Sequence, residues 1–173
     1  MGSGKTTIGR RVAERLDLEF VDCDAEIEKR TGAAIALIFD IEGEEGFRTR
    51  EHRLLEELSR KKGILLATGG GVVMLAENRR LLQERGFIVY LETSVDKQLE
   101  RLRRDKQRPL LQADDRRQKL ENLARLRNPH YQELADLVIP STARSVRHMA
   151  AKVSDAIADF WLTQAEQETY EDD

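Results

Sequence analysis

The chain is poor in the features that mark several protein classes. Its single cysteine, Cys23, excludes an internal disulfide and fits a protein of the reducing cytoplasm, which is the location we expect. No apolar run approaches the roughly 18 residues that a membrane-spanning helix needs. The formal net charge of -3 argues against a general nucleic-acid binder, which should be basic. We therefore expect neither nucleic acid nor membrane as a partner, and the three histidines lack metal-ligand spacing.

The remaining composition predicts one α/β domain. The chain has 173 residues, of which 40% are hydrophobic, enough for one packed core. We assign residues 1–162 to a single domain and 163–173 to an acidic tail. Short apolar segments at 18–22, 63–71, 87–92 and 137–140 predict strands, and the segments between them have helical spacing. Such alternation predicts a parallel sheet with helices on both faces.

The first residues, GSGKTT, resemble the second half of a phosphate-binding loop, G-x-x-x-x-G-K-[ST]. The alternative is a glycine-rich terminus without function, but here the stretch runs directly into an amphipathic helix. Glycine backbone can approach a phosphate closely, Lys5 supplies a cation, and the Thr6 hydroxyl can bind Mg²⁺. The predicted nucleotide contacts are Gly2, Ser3, Gly4, Lys5, Thr6 and Thr7. The pattern's first glycine and the strand that feeds the loop would precede Met1, so we expect both to be missing from this chain.

Two carboxylates, Asp22 and Asp24, end the next predicted strand. If the strand includes both, they lie on one face and Cys23 lies on the other. One carboxylate can then support Mg²⁺ while the other accepts a proton from an attacking hydroxyl. The alternative, that Asp24 only caps a helix, stays open.

Glycines and arginines supply the remaining candidates. Three consecutive glycines, Gly69, Gly70 and Gly71, follow a predicted buried strand and suggest a ligand against bare backbone. Arg48, Arg108 and Arg127 are each typical of a solvated surface. As a set they can bind an anionic substrate and a transferring phosphate, because guanidinium matches carboxylate and phosphate bidentately. Arg108 lies in the charged segment 104–116, which is typical of a mobile loop.

In this order the motifs resemble the shikimate kinase family. The matching stretches are GSGKTTIGRRVAERL, DCD at 22–24, IEKRTG, IFDIEGEEGFRTRE, ATGGGVV, VYLE, RDKQRPLL and RNPHYQELAD. The resemblance implies a three-layer P-loop kinase fold and a monomer. It also implies ATP-dependent phosphorylation of the 3-hydroxyl of shikimate, with Mg²⁺ as cofactor, in aromatic amino-acid biosynthesis.

The resemblance also implies roles for individual residues. Lys5 and Thr6 would hold the phosphates and Mg²⁺, with Asp22 supporting the metal. Asp24 would accept the proton, Arg48 and Arg127 would bind the shikimate carboxylate, and the backbone around Gly70 would lie against the ring. Residues 24–50 would form most of the shikimate-binding region, and 104–116 a lid that carries Arg108 to the ATP phosphates. Arg101 and Arg144 would lie near the adenine.

Two alternative functions stay open at this point. A related P-loop kinase acting on another small molecule would share Lys5 and Thr6 but not the set formed by Asp24, Arg48, the glycine triplet and Arg127. A truncated, weakly active or inactive ATP-binding relative would keep the fold while losing turnover.

Overall fold

A computed structural model of the chain describes residues 2–102, 115–141 and 145–171, with side chains as far as residue 163. The helices are α1 (Lys5–Arg15), α2 (Cys23–Thr31), α3 (Ile35–Leu58), α4 (Ala76–Arg85), α5 (Val95–Leu102), α6 (Arg116–Leu134) and α7 (Val146–Glu171). The strands are β1 (Glu19–Asp22), β2 (Ile64–Ala67), β3 (Val89–Glu92) and β4 (Leu137–Pro140). All four predicted strands are therefore present, and so is the predicted helix after the phosphate loop.

Segment 32–50 is mostly helical. Most of it belongs to α3, which bends at Gly43, where φ is 70° and ψ is -174°. A residue with a side chain rarely adopts that positive φ, so the glycine permits the bend. The bend separates a first part that carries Ile38 from a second part that carries Phe47, and both residues are buried in the same cluster.

The strands pair in parallel, as predicted. β1 lies beside β2, with Glu19 opposite Ile64 and Asp22 opposite Ala67. β3 lies beside β4 in the same sense. Among the described residues, however, the strands form two separate pairs instead of one continuous sheet.

A cavity of about 640 Å³ separates the two pairs, and we call it the inter-sheet slot. Its walls include all of β2 and most of β3 but no residue of β1 or β4, so it lies between the facing edges of β2 and β3. Protein interiors rarely keep an apolar space of this size, and an unpaired strand edge lacks ladder hydrogen bonds. Ser3 and Lys5 line the slot as well. One further strand beside the phosphate loop would pair with both facing edges and join the two pairs.

Helices cover both faces of the strands. Leu65 of β2 and Val89 of β3 pack against a cluster of α1, β4 and α7 residues. Their chain neighbours Leu66 and Ile88 pack on the other side, against a cluster that contains Leu55 of α3. Successive side chains of a strand point to opposite faces, so this alternation produces the three layers that the sequence predicts.

No helix within the described ranges is both long and apolar enough to cross a membrane.

Candidate active site

The phosphate-binding loop lies at the start of α1. Gly2 and Gly4 have φ values of 69° and 85°, in the left-handed region that glycine adopts without strain. α1 begins at Lys5, so the amino end of the helix and its positive dipole face the loop. Lys5 and Thr6 are half-buried. Backbone N–H groups, a lysine and a hydroxyl are thus present together at a helix amino terminus, an arrangement that binds phosphate.

Asp22 joins this loop to the next element. The Thr6 hydroxyl donates to Asp22 Oδ2 over 2.7 Å, while Asp22 Oδ1 accepts from the backbone N–H groups of Asp24 and Ala25 at 3.0 and 3.3 Å. Asp22 is therefore the amino-terminal cap of α2. The prediction that Asp22 and Asp24 share one strand face is wrong, because the strand ends at Asp22. Asp24 is not the cap either, since it lies in the first turn of α2.

Asp24 reaches the glycine triplet from that first helical turn. A Cβ atom added to Gly69 would lie 3.2 Å from Asp24 Oδ1 and 2.6 Å from Glu51 Oε1. Only glycine lets the backbone after β2 approach both carboxylates this closely. The structure therefore places Asp24, Gly69 and the phosphate loop at the same end of the strands.

Arg48 is held beside the glycine triplet by two carboxylates. Its Nη1 donates to Glu51 Oε2 over 2.6 Å, and its Nη2 donates to Glu44 over 3.1 Å. Burial disfavours the charged guanidinium, yet Glu51 and Glu44 raise the pKa of Arg48. A Cβ atom added to Gly71 would overlap this guanidinium. Arg48 is thus a fixed, charged donor whose position depends on the absence of a side chain at position 71.

Glu51 is the buried partner that sequence reasoning missed. Its exposed fraction is 2%, and Oε1 has no hydrogen-bond partner among the described residues. Burial raises the pKa of Glu51, and the Arg48 guanidinium opposes that rise. The spacing itself was a usable signal, because residues three apart on a helix lie on the same face. A glutamate three positions after a candidate substrate-binding arginine is a natural partner for it.

Arg127 lies on α6, and Tyr131 lies one turn further along the same helix. Tyr131 is the second residue that sequence reasoning missed: its hydroxyl donates to the carbonyl oxygen of Gly70. Burial raises the pKa of Tyr131, while the charge of Arg127, one turn earlier on α6, lowers it. Arg127 also acts electrostatically on Glu51, so it belongs to the same cluster as Arg48.

Arg101 contacts the phosphate loop from α5. Its Nη1 donates to the carbonyl oxygens of Gly2 and Ser3 at 3.0 and 2.8 Å, and its Nη2 donates to Ser141 over 3.1 Å. In this structure Arg101 therefore ties the loop backbone to α5 and to the end of β4. Arg108, Arg144 and residues 104–114 of the predicted lid lie outside the described residues.

The oxygen ligands that Thr6 and Asp22 offer fit Mg²⁺ better than a transition metal. The described residues contain no group of three or more His, Cys, Asp or Glu side chains that could hold a metal ion. Thr6 and Asp22 instead present a hydroxyl and a carboxylate beside the phosphate loop. Mg²⁺ prefers such oxygen ligands, and it takes the rest of its coordination from phosphates and water.

Cys23 should be chemically inert in the folded protein. Burial, followed by the charges of Asp24 and Asp22, raises the pKa of its thiol to about 12, against an ordinary value of about 8.5. Because the folded state holds this proton more tightly, stability should fall as pH rises from about 9 to about 12, by up to ~1.4 kcal/mol per pH unit. In urea unfolding, we expect the free energy of unfolding of Cys23→Ala to fall less steeply with pH over this range than that of the wild-type protein. Equal slopes for both proteins would contradict this account.

Known proteins are similar to this chain in sequence and in fold. The family model for shikimate kinase matches residues 1–158. The shikimate kinase of Actinobacillus succinogenes is 56% identical over 92% of this chain and 92% of its own length. The one from Histophilus somni is 54% identical over 91% of this chain and 90% of its own length.

The fold comparison agrees with the sequence comparison. The solved structure of Acinetobacter baumannii shikimate kinase in complex with shikimate superposes with a TM-score of 0.88 at 50% identity. That match covers 92% of this chain and 89% of the other. The predicted α/β P-loop kinase fold is thereby confirmed. The chain belongs to the shikimate kinase family.

Proposed function

We propose that the chain transfers the γ-phosphoryl group of ATP to the 3-hydroxyl of shikimate, and that the residues described above divide this work between them. The observation that carries the proposal is their convergence. The phosphate loop, Asp24, the Arg48–Glu51 pair, the glycine triplet and the Arg127–Tyr131 turn come from five separate segments, and they meet at the carboxyl ends of β1 and β2. Ligands of open parallel sheets bind at that edge.

The nucleotide side of the site is the loop. Gly2, Ser3, Gly4, Lys5, Thr6 and Thr7 would surround the phosphates with N–H groups, the lysine cation and the dipole of α1. Thr6 and Asp22 would hold Mg²⁺, which neutralises phosphate charge when bound. Arg101 keeps the loop in place through its contacts with the carbonyl oxygens of Gly2 and Ser3. Arg108 would bind the transferring phosphate, and Arg144 would contact the adenine.

The other side of the site, which we call the acceptor side, would bind shikimate, the alcohol that accepts the phosphoryl group. Arg48 and Arg127 would pair with the shikimate carboxylate, and the backbone of Gly69–Gly71 would lie against the ring. Asp24 would take the proton of the 3-hydroxyl. The oxygen of that hydroxyl would bond to the γ-phosphorus of ATP while the bond between the γ-phosphorus and the ADP oxygen breaks. In-line transfer needs both reactants held in fixed positions, which is the main contribution of such sites.

The assembly and location of the chain are part of the proposal. We propose that the chain acts as a monomer, because the described candidate residues of the nucleotide side and of the acceptor side meet within a single chain. A buried thiol that stays reduced is compatible with the cytoplasm.

The substrate is tested by ATP consumption. We expect turnover only when Mg²⁺ and shikimate are both present, because phosphoryl transfer needs the bound alcohol as acceptor. Gluconate and a nucleoside monophosphate serve as comparison substrates, measured with the same coupled ADP assay. Faster turnover of either would support a related kinase with another substrate. ATP binding without turnover of any substrate would support the weakly active or inactive alternative.

A further inference from the structure

Tyr131 connects two parts of the acceptor side that are far apart in sequence. Its hydroxyl donates to the Gly70 carbonyl, 61 positions away. Its ring stacks on Tyr90 with the centroids 4.9 Å apart and the planes at 28°. The ring is therefore fixed from one side by β3, and its hydroxyl points to the backbone after β2.

Arg127 lies one turn before Tyr131 on the same helix. The two residues are four positions apart on α6, so they share one face of the helix. The charge of the Arg127 guanidinium lowers the pKa of Tyr131, while the Tyr131 hydroxyl donates its proton to the Gly70 carbonyl. Tyr131 therefore ties the turn of α6 that carries Arg127 to the backbone of the glycine triplet.

Fixing that carbonyl also fixes the neighbouring amide. The carbonyl of Gly70 and the N–H of Gly71 belong to one planar peptide unit and point in opposite directions. Glycine backbone has more conformational freedom than any other, so a run of three needs an external anchor. Gly71 is itself packed against the Arg48 guanidinium. Tyr131 thus anchors the triplet at a set distance from both arginines.

We propose that Tyr131 is a positioning residue for the acceptor, and that its hydroxyl holds the turn of α6 that carries Arg127 against the Gly69–Gly71 backbone, so that Arg127 and the triplet contact the substrate together. This inference rests on the proposed function, because it takes Arg127 and the triplet as contacts of shikimate. The residue acts through its neighbours and need not touch the substrate.

The test is Tyr131→Phe, which removes the hydroxyl and keeps the stacked ring. The lost hydrogen bond leaves the Gly70 carbonyl unpaired, so we expect the KM for shikimate to rise roughly tenfold. We expect kcat to change less than about threefold and the KM for ATP to stay the same. The matched control is Tyr90→Phe, the same deletion in the stacking partner, whose hydroxyl donates to Asn128 over 3.4 Å. That control should leave both KM values within about twofold.

A second measurement needs no substrate. The Val72 amide donates to the Gly69 carbonyl over 3.2 Å, so its hydrogen exchange reports opening of the triplet. We expect this amide to exchange roughly tenfold faster in Tyr131→Phe and at the wild-type rate in Tyr90→Phe.

The outcomes separate the two proposals. Wild-type exchange at Val72 in Tyr131→Phe would overturn the coupling. A parallel loss of kcat, ATP affinity and melting temperature would likewise overturn it, because that pattern indicates a general structural role. Failure of the wild-type protein to phosphorylate shikimate would instead overturn the proposed function, while the exchange result would still decide the coupling.

Discussion

Replacing Asp24 with asparagine should lower kcat for shikimate phosphorylation by roughly 10²- to 10⁴-fold, the usual contribution of a positioned general base. The side chain keeps its shape, and the backbone N–H of residue 24 still donates to Asp22 Oδ1, so the start of α2 should not change. An amide has no free carboxylate oxygen to accept the hydroxyl proton. The KM for shikimate should change little, because the two arginines and the glycine triplet remain.

The control for this variant is Asp159→Asn, the same change at an exposed aspartate of α7. It should keep the wild-type kcat. Steady-state kinetics at saturating ATP, with melting temperatures for all three proteins, make the comparison. An Asp24→Asn enzyme that retained more than about a tenth of the wild-type kcat would remove Asp24 from the proposed proton transfer.

The largest effect on stability should come from filling the inter-sheet slot. We expect that adding about ten residues ahead of Met1, one apolar strand followed by the glycine that starts the loop pattern, will raise the free energy of unfolding by several kcal/mol. Strand length in globular proteins sets the size of the addition. The gain comes from burying apolar side chains in a cavity of about 640 Å³ and from pairing the facing edges of β2 and β3. For a domain of this size a gain of ~3 kcal/mol corresponds to ~10 °C in melting temperature.

The slot also connects this prediction to activity. Ser3 and Lys5 line the slot, so a strand parallel to β2 would end at the phosphate loop. A loop anchored on that side holds its N–H groups in position for the phosphates, and ATP turnover should therefore rise together with stability. The 173-residue chain alone should be the less stable and less active protein.

The control for the added strand is the same extension with proline at its centre. Proline removes a ladder hydrogen bond and is confined to sheet edges, so this version should not fill a central position. Thermal unfolding and ATP turnover of the three proteins decide the matter. If the proline version gave an equal gain, or the apolar strand gave none, the slot would not be a strand position.

Local patterns predicted most elements of the fold. β1, β2, β3 and β4 follow from short β-branched runs, and α1 follows from the repeat of Ile8, Val12 and Leu16 after the loop glycines. These predictions succeed because helix and strand periodicity depend on residues a few positions apart. The expectation for Asp22 and Asp24 failed for a related reason. After Asp22 the chain could continue as a strand or turn into a helix. The hydrogen bonds from the N–H groups of Asp24 and Ala25 to the Asp22 carboxylate select the helix.

The sequence by itself determined the family, the reaction and most candidate residues, because the motifs lie in short stretches whose order is specific. Only the tertiary structure decided which side chains cooperate. Glu51 is buried against Arg48, Tyr131 bonds to Gly70, and Arg101 holds the loop from about 100 positions away. The pairing of β1 with β2 and of β3 with β4, with the slot between them, was equally a tertiary result. Such contacts form between residues that folding brings together from distant positions, and neither local spacing nor composition records those distances.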